Sequence, residues 1–174
     1  MIIVGPKPED VTGHSAEMYR ADLDRTGAVQ PYTEAMAVNP EAHAAYEALV
    51  QAIISSIGLR VYELATLGAA RAIGSPHCLR AHSQKILDAR IMDEAQLDAA
   101  LRDYRAAGLS ESDVSVIEFA EQLSTAPGSM TDADSERLRD AGFTDRQIVD
   151  IALAAGVRNH FSRTLLALAV PIDI

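Results

Sequence analysis

Apolar residues recur along this chain mostly at intervals of three and four, and glycine or proline repeatedly interrupts them. That spacing is the signature of amphipathic helices, and no stretch alternates with a period of two over the length of a strand. The first helix is predicted over about Ser15–Arg25, stopped by Gly27. Asn39-Pro40 opens the next, with proline at the first helical position. Tyr46, Leu49, Val50, Ile53, Ile54 and Ile57 trace its apolar face, and Gly58 ends it. A helix over 59–73 follows and closes at Gly74, and another over 76–89 begins at Ser75-Pro76.

Polar signals fix the starts of the remaining helices. Asp93 with Gln96 opens a helix reaching about Ala107. Ser110 with Asp113 opens one that Pro127 breaks, and Thr131 with Asp134 opens a short one ending at Gly142. Thr144 with Gln147 is a full capping box, since each side chain can satisfy one orphan backbone N–H. It starts the last long helix, which reaches about Ala169 before Pro171. Residues 1–38 are looser and more polar, and read as an N-terminal arm on a neighbouring subunit or as a first helix on its own core. Residues 39–174 read as the helical domain. The predicted fold class is therefore all-α, a helical bundle.

Composition narrows the function. The hydrophobic fraction of 48% is that of a globular protein. A net charge of −10 without a basic stripe argues against nucleic acid. No uninterrupted apolar run approaches the roughly 20 residues that span a bilayer, and the first residues lack the features of a signal peptide. The single cysteine forbids an internal disulfide. A cytoplasmic protein with no membrane partner is expected.

The chemistry concentrates after Gly74. Ser75 is a preferred N-cap residue, and it places His77 and Cys78 in the first helical turn. Backbone N–H groups are unpaired there and the helix dipole is positive, which favours a thiolate. His82, four residues beyond Cys78, shares its helix face and can take or return the thiol proton. The bland alternative is a buried, inert cysteine. Three potential metal ligands stand together in His77, Cys78 and His82, but on a helix His77 points away from the other two. No metal and no cofactor are expected. Glu63 sits in an apolar run beside Leu64 and Leu67. A carboxylate there needs a partner; a fold-back at Gly74 brings it beside His82, and a solvated ion pair with Arg60 is the alternative.

Glu63, a twelve-residue interval to Ser75, Cys78 three further on and His82 four beyond that together resemble the alkylhydroperoxidase D-like proteins of the carboxymuconolactone decarboxylase superfamily. The resemblance includes Glu63-Leu64-Ala65, His77 within the motif and Ala81-His82-Ser83. Downstream, Met130-Thr131-Asp132-Ala133-Asp134, Ala141-Gly142-Phe143, Asn159 to Arg163 and Val170-Pro171 resemble the peroxidase-related branch. It spans roughly residues 40–172. The family pattern carries two cysteines, and Ser75 stands where the first would be.

The resemblance implies an alkylhydroperoxidase D-like bundle assembled as a homo-oligomer, a trimer or hexamer, with dimers also known. It implies a thiol-dependent, peroxidase-like antioxidant oxidoreductase, with Cys78 as nucleophile, His82 as general base and Glu63 orienting His82. Ser75 would cap the helix, and His77 would be an auxiliary proton donor. The partners implied are a hydroperoxide or other small-molecule substrate and an external thiol reductant, because the resolving cysteine is missing. Two other readings stand beside this one. One is a lactone-decarboxylase-like acid–base enzyme using His82 and Glu63; the other is a non-catalytic oligomeric member.

Overall fold

The computed structural model describes residues 1–172 and, among them, contains helices and no strand. The all-α expectation holds. In chain order the helices are α1 Gly13–Thr26, α2 Pro31–Met36, α3 Pro40–Ala72, α4 Pro76–Asp88, α5 Glu94–Asp103, α6 Glu111–Thr125, α7 Asp132–Asp140 and α8 Asp145–Ala167. The start signals were accurate to a residue or two. Asp93 accepts from the Gln96 N–H at 2.7 Å, and Ser110 forms a capping box with Asp113. Gln147 accepts from the Thr144 N–H at 3.0 Å while Thr144 accepts in return.

Two differences have plain causes. α2 is too short for hydrophobic periodicity to reveal, and Pro31 at its first position is its only strong signal. The two helices expected on either side of Gly58 run on as one element, broken locally where Gly58 takes φ 77° and ψ 159°. This makes α3 33 residues long, and by length and composition alone it is apolar enough to cross a membrane. Scattered polar residues divide the stretch, so it contains no unbroken apolar run of that length. Its second half, from Tyr62 to Ala70, is buried throughout.

The chain forms two compact units, one of residues 1–49 together with the segment from Arg163 on, the other of Val50–Ser162. In the first, Met18 and Tyr19 of α1 pack with Ala37, against Val11, Val29 and Met36. The Tyr19 hydroxyl donates to the Pro6 carbonyl at 2.7 Å, and Ser15 donates to the Ala37 carbonyl at 3.0 Å. These bonds tie the N-terminal residues to their own unit.

The second unit is built around the latter half of α3. Leu64, Ala65 and Ala69 are buried there with Ile86 of α4, Val116 and Ile117 of α6, Leu138 of α7 and Ile151 of α8. Small residues on α3 let neighbouring backbones come close. A Cβ on Gly68 would lie 2.9 Å from the Ile117 carbonyl oxygen, closer than real contacts allow. The chain reverses after α3 at Gly74, whose φ of 63° lies in the left-handed region that glycine enters without steric cost. The Ser75 N–H closes that turn on the Ala70 carbonyl at 3.0 Å.

Gly68→Ala tests the close approach. Alanine gains roughly 1 kcal/mol over glycine in a helix interior, but overpacking costs roughly 1–3 kcal/mol. Here the obstacle is a carbonyl of another helix, which cannot swing aside as a side-chain tip would. A net loss of stability, seen as a lower urea midpoint, is the expected result.

Candidate active site

Ser75 occupies the N-cap position and Pro76 the first turn of α4, and the Leu79 N–H bonds to the Ser75 carbonyl at 2.9 Å. The expected capping bond from the Ser75 side chain is absent, however. The backbone also differs between this helix start and a capped one. Ser110, whose hydroxyl does cap its helix, has ψ 157°, whereas Ser75 has ψ 101°. The Ser75 hydroxyl is wholly buried, and its Oγ has no hydrogen-bond partner among the described residues.

His77 and Cys78 lie in the first turn of α4 as expected, both buried. The Cys78 sulfur, 2% exposed, is met from α8. Ser162 donates its hydroxyl to Sγ at 2.9 Å, and the Arg158 Nη1 lies 3.4 Å from it. These two residues are four apart on one helix face and present two donors to one sulfur. Donors of this kind favour negative charge on an acceptor.

His82 lies one turn along α4, where its Nδ1 meets the Glu63 carboxylate at 2.5 Å. Both side chains are 2% exposed. Thr66, one turn beyond Glu63, brings its hydroxyl within 3.3 Å of the same nitrogen and donates to the Glu63 carbonyl. The Tyr62 ring stands edge-on to the imidazole. Arg60, the alternative partner for Glu63, is engaged elsewhere. It grips Asp113 through Nε at 3.1 Å and Nη2 at 2.8 Å. Burial works against ionisation of Asp113, but this fork and the Ser110 bonds hold its carboxyl below the ordinary range.

Burial disfavours charge on both members of the His82–Glu63 pair. Burial pushes His82 well below its usual value, and the positive charges of Arg158 and Lys85 push it further. Burial also pushes Glu63 up, against the opposing pull of Lys85 and Arg158. Burial thus favours a neutral imidazole, and Nδ1 is the ring nitrogen committed to Glu63. Nε2 is then the nitrogen left for proton exchange. The structure thus brings Glu63 and His82 together, and joins Cys78 to Arg158 and Ser162. No described hydrogen bond joins Cys78 directly to His82.

Arg158 and Ser162 were not singled out in the sequence as site residues. A signal existed for Arg158: it is the one charged residue in Ile151-Ala152-Leu153-Ala154-Ala155-Gly156-Val157-Arg158, an apolar context like that of Glu63. Ser162 lies in the downstream segment resembling the peroxidase-related branch, without a role attached to it.

The Carboxymuconolactone decarboxylase family matches residues 40–122. Residues 40–122 belong to that family. Within this family segment stand Glu63, Ser75, His77, Cys78 and His82, while Arg158 and Ser162 come from outside it. Among curated proteins no relative matches the chain. Among solved structures, the chain is similar to an alkylhydroperoxidase AhpD core, an uncharacterized peroxidase-related protein from Ralstonia eutropha JMP134. The two are 20% identical, with a TM-score of 0.84 covering 99% of this chain and 92% of that one. An uncharacterized peroxidase-related protein from Silicibacter sp. TM1040 aligns over 98% and 92% of the two chains at 23% identity and TM-score 0.81. The debrominase Bmp8, solved with 2,3,4-tribromopyrrole, aligns over 99% and 92% at 16% identity and TM-score 0.79. At these identities the likeness establishes the fold alone. An open, charged cleft lined by Arg71, Tyr104, Arg105, Glu118, Glu121 and Arg137 holds none of the family-segment site residues.

Two measurements probe the site. Below about pH 6.5 the unfolded chain protonates His82 while the folded chain refuses the proton, so acid destabilises the fold there. Glu63 acts in the opposite sense at lower pH, because the folded chain takes up its proton first. The loss from His82 therefore appears from about pH 7 down to 5, with a slope of at most about 1.4 kcal/mol per pH unit. Urea unfolding across that range should show a shallower fall for His82→Asn than for the parent. Separately, Arg158→Met should slow alkylation of Cys78 by iodoacetamide at pH 7, because it removes the guanidinium nitrogen that lies 3.4 Å from Sγ. Arg158→Lys should retain most of the parent rate.

Proposed function

We propose that this protein is a thiol-dependent, peroxidase-like antioxidant enzyme in which Cys78 is the nucleophile. The observation that carries this reading is the Cys78 sulfur at the start of α4, facing Arg158 and Ser162, one turn from the buried His82–Glu63 pair. A thiolate is the reactive form of cysteine, and the helix start and a guanidinium both favour it. The sulfur attacks one peroxide oxygen and the O–O bond breaks. Cysteine is oxidised to sulfenic acid, and the other oxygen leaves and takes a proton to become an alcohol or water. His82, backed by Glu63, is the proton store for this step. An external dithiol then reduces the sulfenic acid, first forming a mixed disulfide with loss of water, then releasing the Cys78 thiol as its own disulfide forms. Burial of the sulfur favours hydrogen peroxide over bulky hydroperoxides.

The pair His82–Glu63 is complete without the thiol, which favours one second reading. As in a lactone decarboxylase, it would move protons on a cyclic substrate while Cys78 is a bystander. The debrominase among the structural neighbours adds bromopyrroles to the substrates worth assaying. We also take the active form to be a cytoplasmic homo-oligomer, since Val149 and Leu153 of α8 lie exposed beside its buried residues.

Ser75→Cys separates the readings. Ser75 makes no capping bond, so its replacement forfeits little of the roughly 0.5–2 kcal/mol that a cap contributes. The new thiol lies three residues from Cys78 and can condense with the sulfenic acid. Peroxide consumption with a dithiol reductant should rise well above the parent's, because an intramolecular thiol acts at a far higher effective concentration. Mass analysis should show the disulfide in place of over-oxidised Cys78. A variant that forms the disulfide but consumes peroxide no faster than the parent would end the peroxidase reading.

A further inference from the structure

We propose that the unit formed by the N-terminal residues contains a binding site for a borderline divalent cation such as zinc, held by His14, His43 and Glu47. None of these residues belongs to the Cys78 site. His14 stands in the first turn of α1, and His43 in the first turn of α3 with Glu47 one turn further on. The His14 Nε2 and His43 Nδ1 are 3.0 Å apart. The Glu47 Oε2 lies 3.4 Å from the first nitrogen and 3.8 Å from the second. One ligand atom from each side chain thus converges within 4.8 Å of the others.

Those spacings suit a tetrahedral ion. With ligand bonds of about 2.0–2.1 Å, neighbouring ligand atoms on zinc stand about 3.3 Å apart. Two imidazoles and one carboxylate form a donor set that zinc accepts, with a fourth position open to water. The surroundings prepare the donors. The Glu17 carboxylate lies 3.7 Å from the His14 Nδ1, the side away from the cluster, and a carboxylate there leaves the lone pair on Nε2. The His43 side chain is only 11% exposed, so its ring is held in place. Without a cation, a single hydrogen bond joins His14 to His43. With one, the ion clamps the start of α1 to the start of α3.

Zinc titrated calorimetrically into the EDTA-dialysed full chain is expected to bind one to one, and to raise the thermal midpoint. Glu47→Gln is nearly isosteric and lies at a half-exposed position, so it leaves the fold intact. It should weaken zinc binding at least tenfold and abolish most of the thermal shift, and His14→Asn should do the same. Cobalt bound in place of zinc should show tetrahedral visible bands and no thiolate charge-transfer band. Parent-like affinity in Glu47→Gln, no binding at micromolar zinc, or a thiolate band placing the metal on Cys78 would each overturn the site.

Discussion

The contact between Glu63 and His82 is the constraint around which the larger unit is arranged. Two ionisable groups, each 2% exposed, face one another across two helices. Neither could be buried alone, since an unpaired carboxylate or a charged imidazole in an apolar core costs several kcal/mol. Each makes the other tolerable, and the bond holds only if α3 and α4 fold back at Gly74 in one register. Shifting α4 by a residue would turn His82 away and leave Glu63 stranded. The small residues of α3 serve the same end, because Gly68 lets α6 press its backbone against the helix that carries Glu63.

The second pole of the site follows from the first. α8 reaches the same core through Ile151, Ala154 and Ala155, and this brings Arg158 and Ser162 over the start of α4. Arg158 influences both poles: it lies against the Cys78 sulfur, and its charge lowers the proton affinity of His82 and Glu63. The guanidinium therefore touches Cys78 and acts electrostatically on the Glu63–His82 pair, although no described hydrogen bond joins Cys78 to His82. The family segment ending at residue 122 contains Cys78 and the Glu63–His82 pair, and a helix beyond that segment contributes Arg158.

Ser75 illustrates how local and global demands diverge. Its position at the start of α4 is what a serine-proline pair dictates, yet its hydroxyl is enclosed rather than capping. The backbone at this residue follows the tight turn after Gly74, and the helix start accommodates that turn. A buried hydroxyl without a partner costs roughly 1–3 kcal/mol, and such costs concentrate where chemistry is done.

Local rules were enough to read the helices from the sequence. Capping pairs such as Ser110 with Asp113 and Thr144 with Gln147 act over three residues, so their outcome is decided within one turn. Glu63 was visible because a charge in an apolar run requires a partner, and a tight reversal at Gly74 made His82 one candidate beside Arg60. The sequence could not decide between Arg60 and His82 for Glu63; the structure did, by giving Arg60 to Asp113, fifty-three residues away in sequence. Nor could it place Arg158 and Ser162 on a sulfur about eighty residues upstream. Contacts at such separation depend on how whole helices pack. Packing answers to the summed shape of the buried faces, and no short window of residues contains that information.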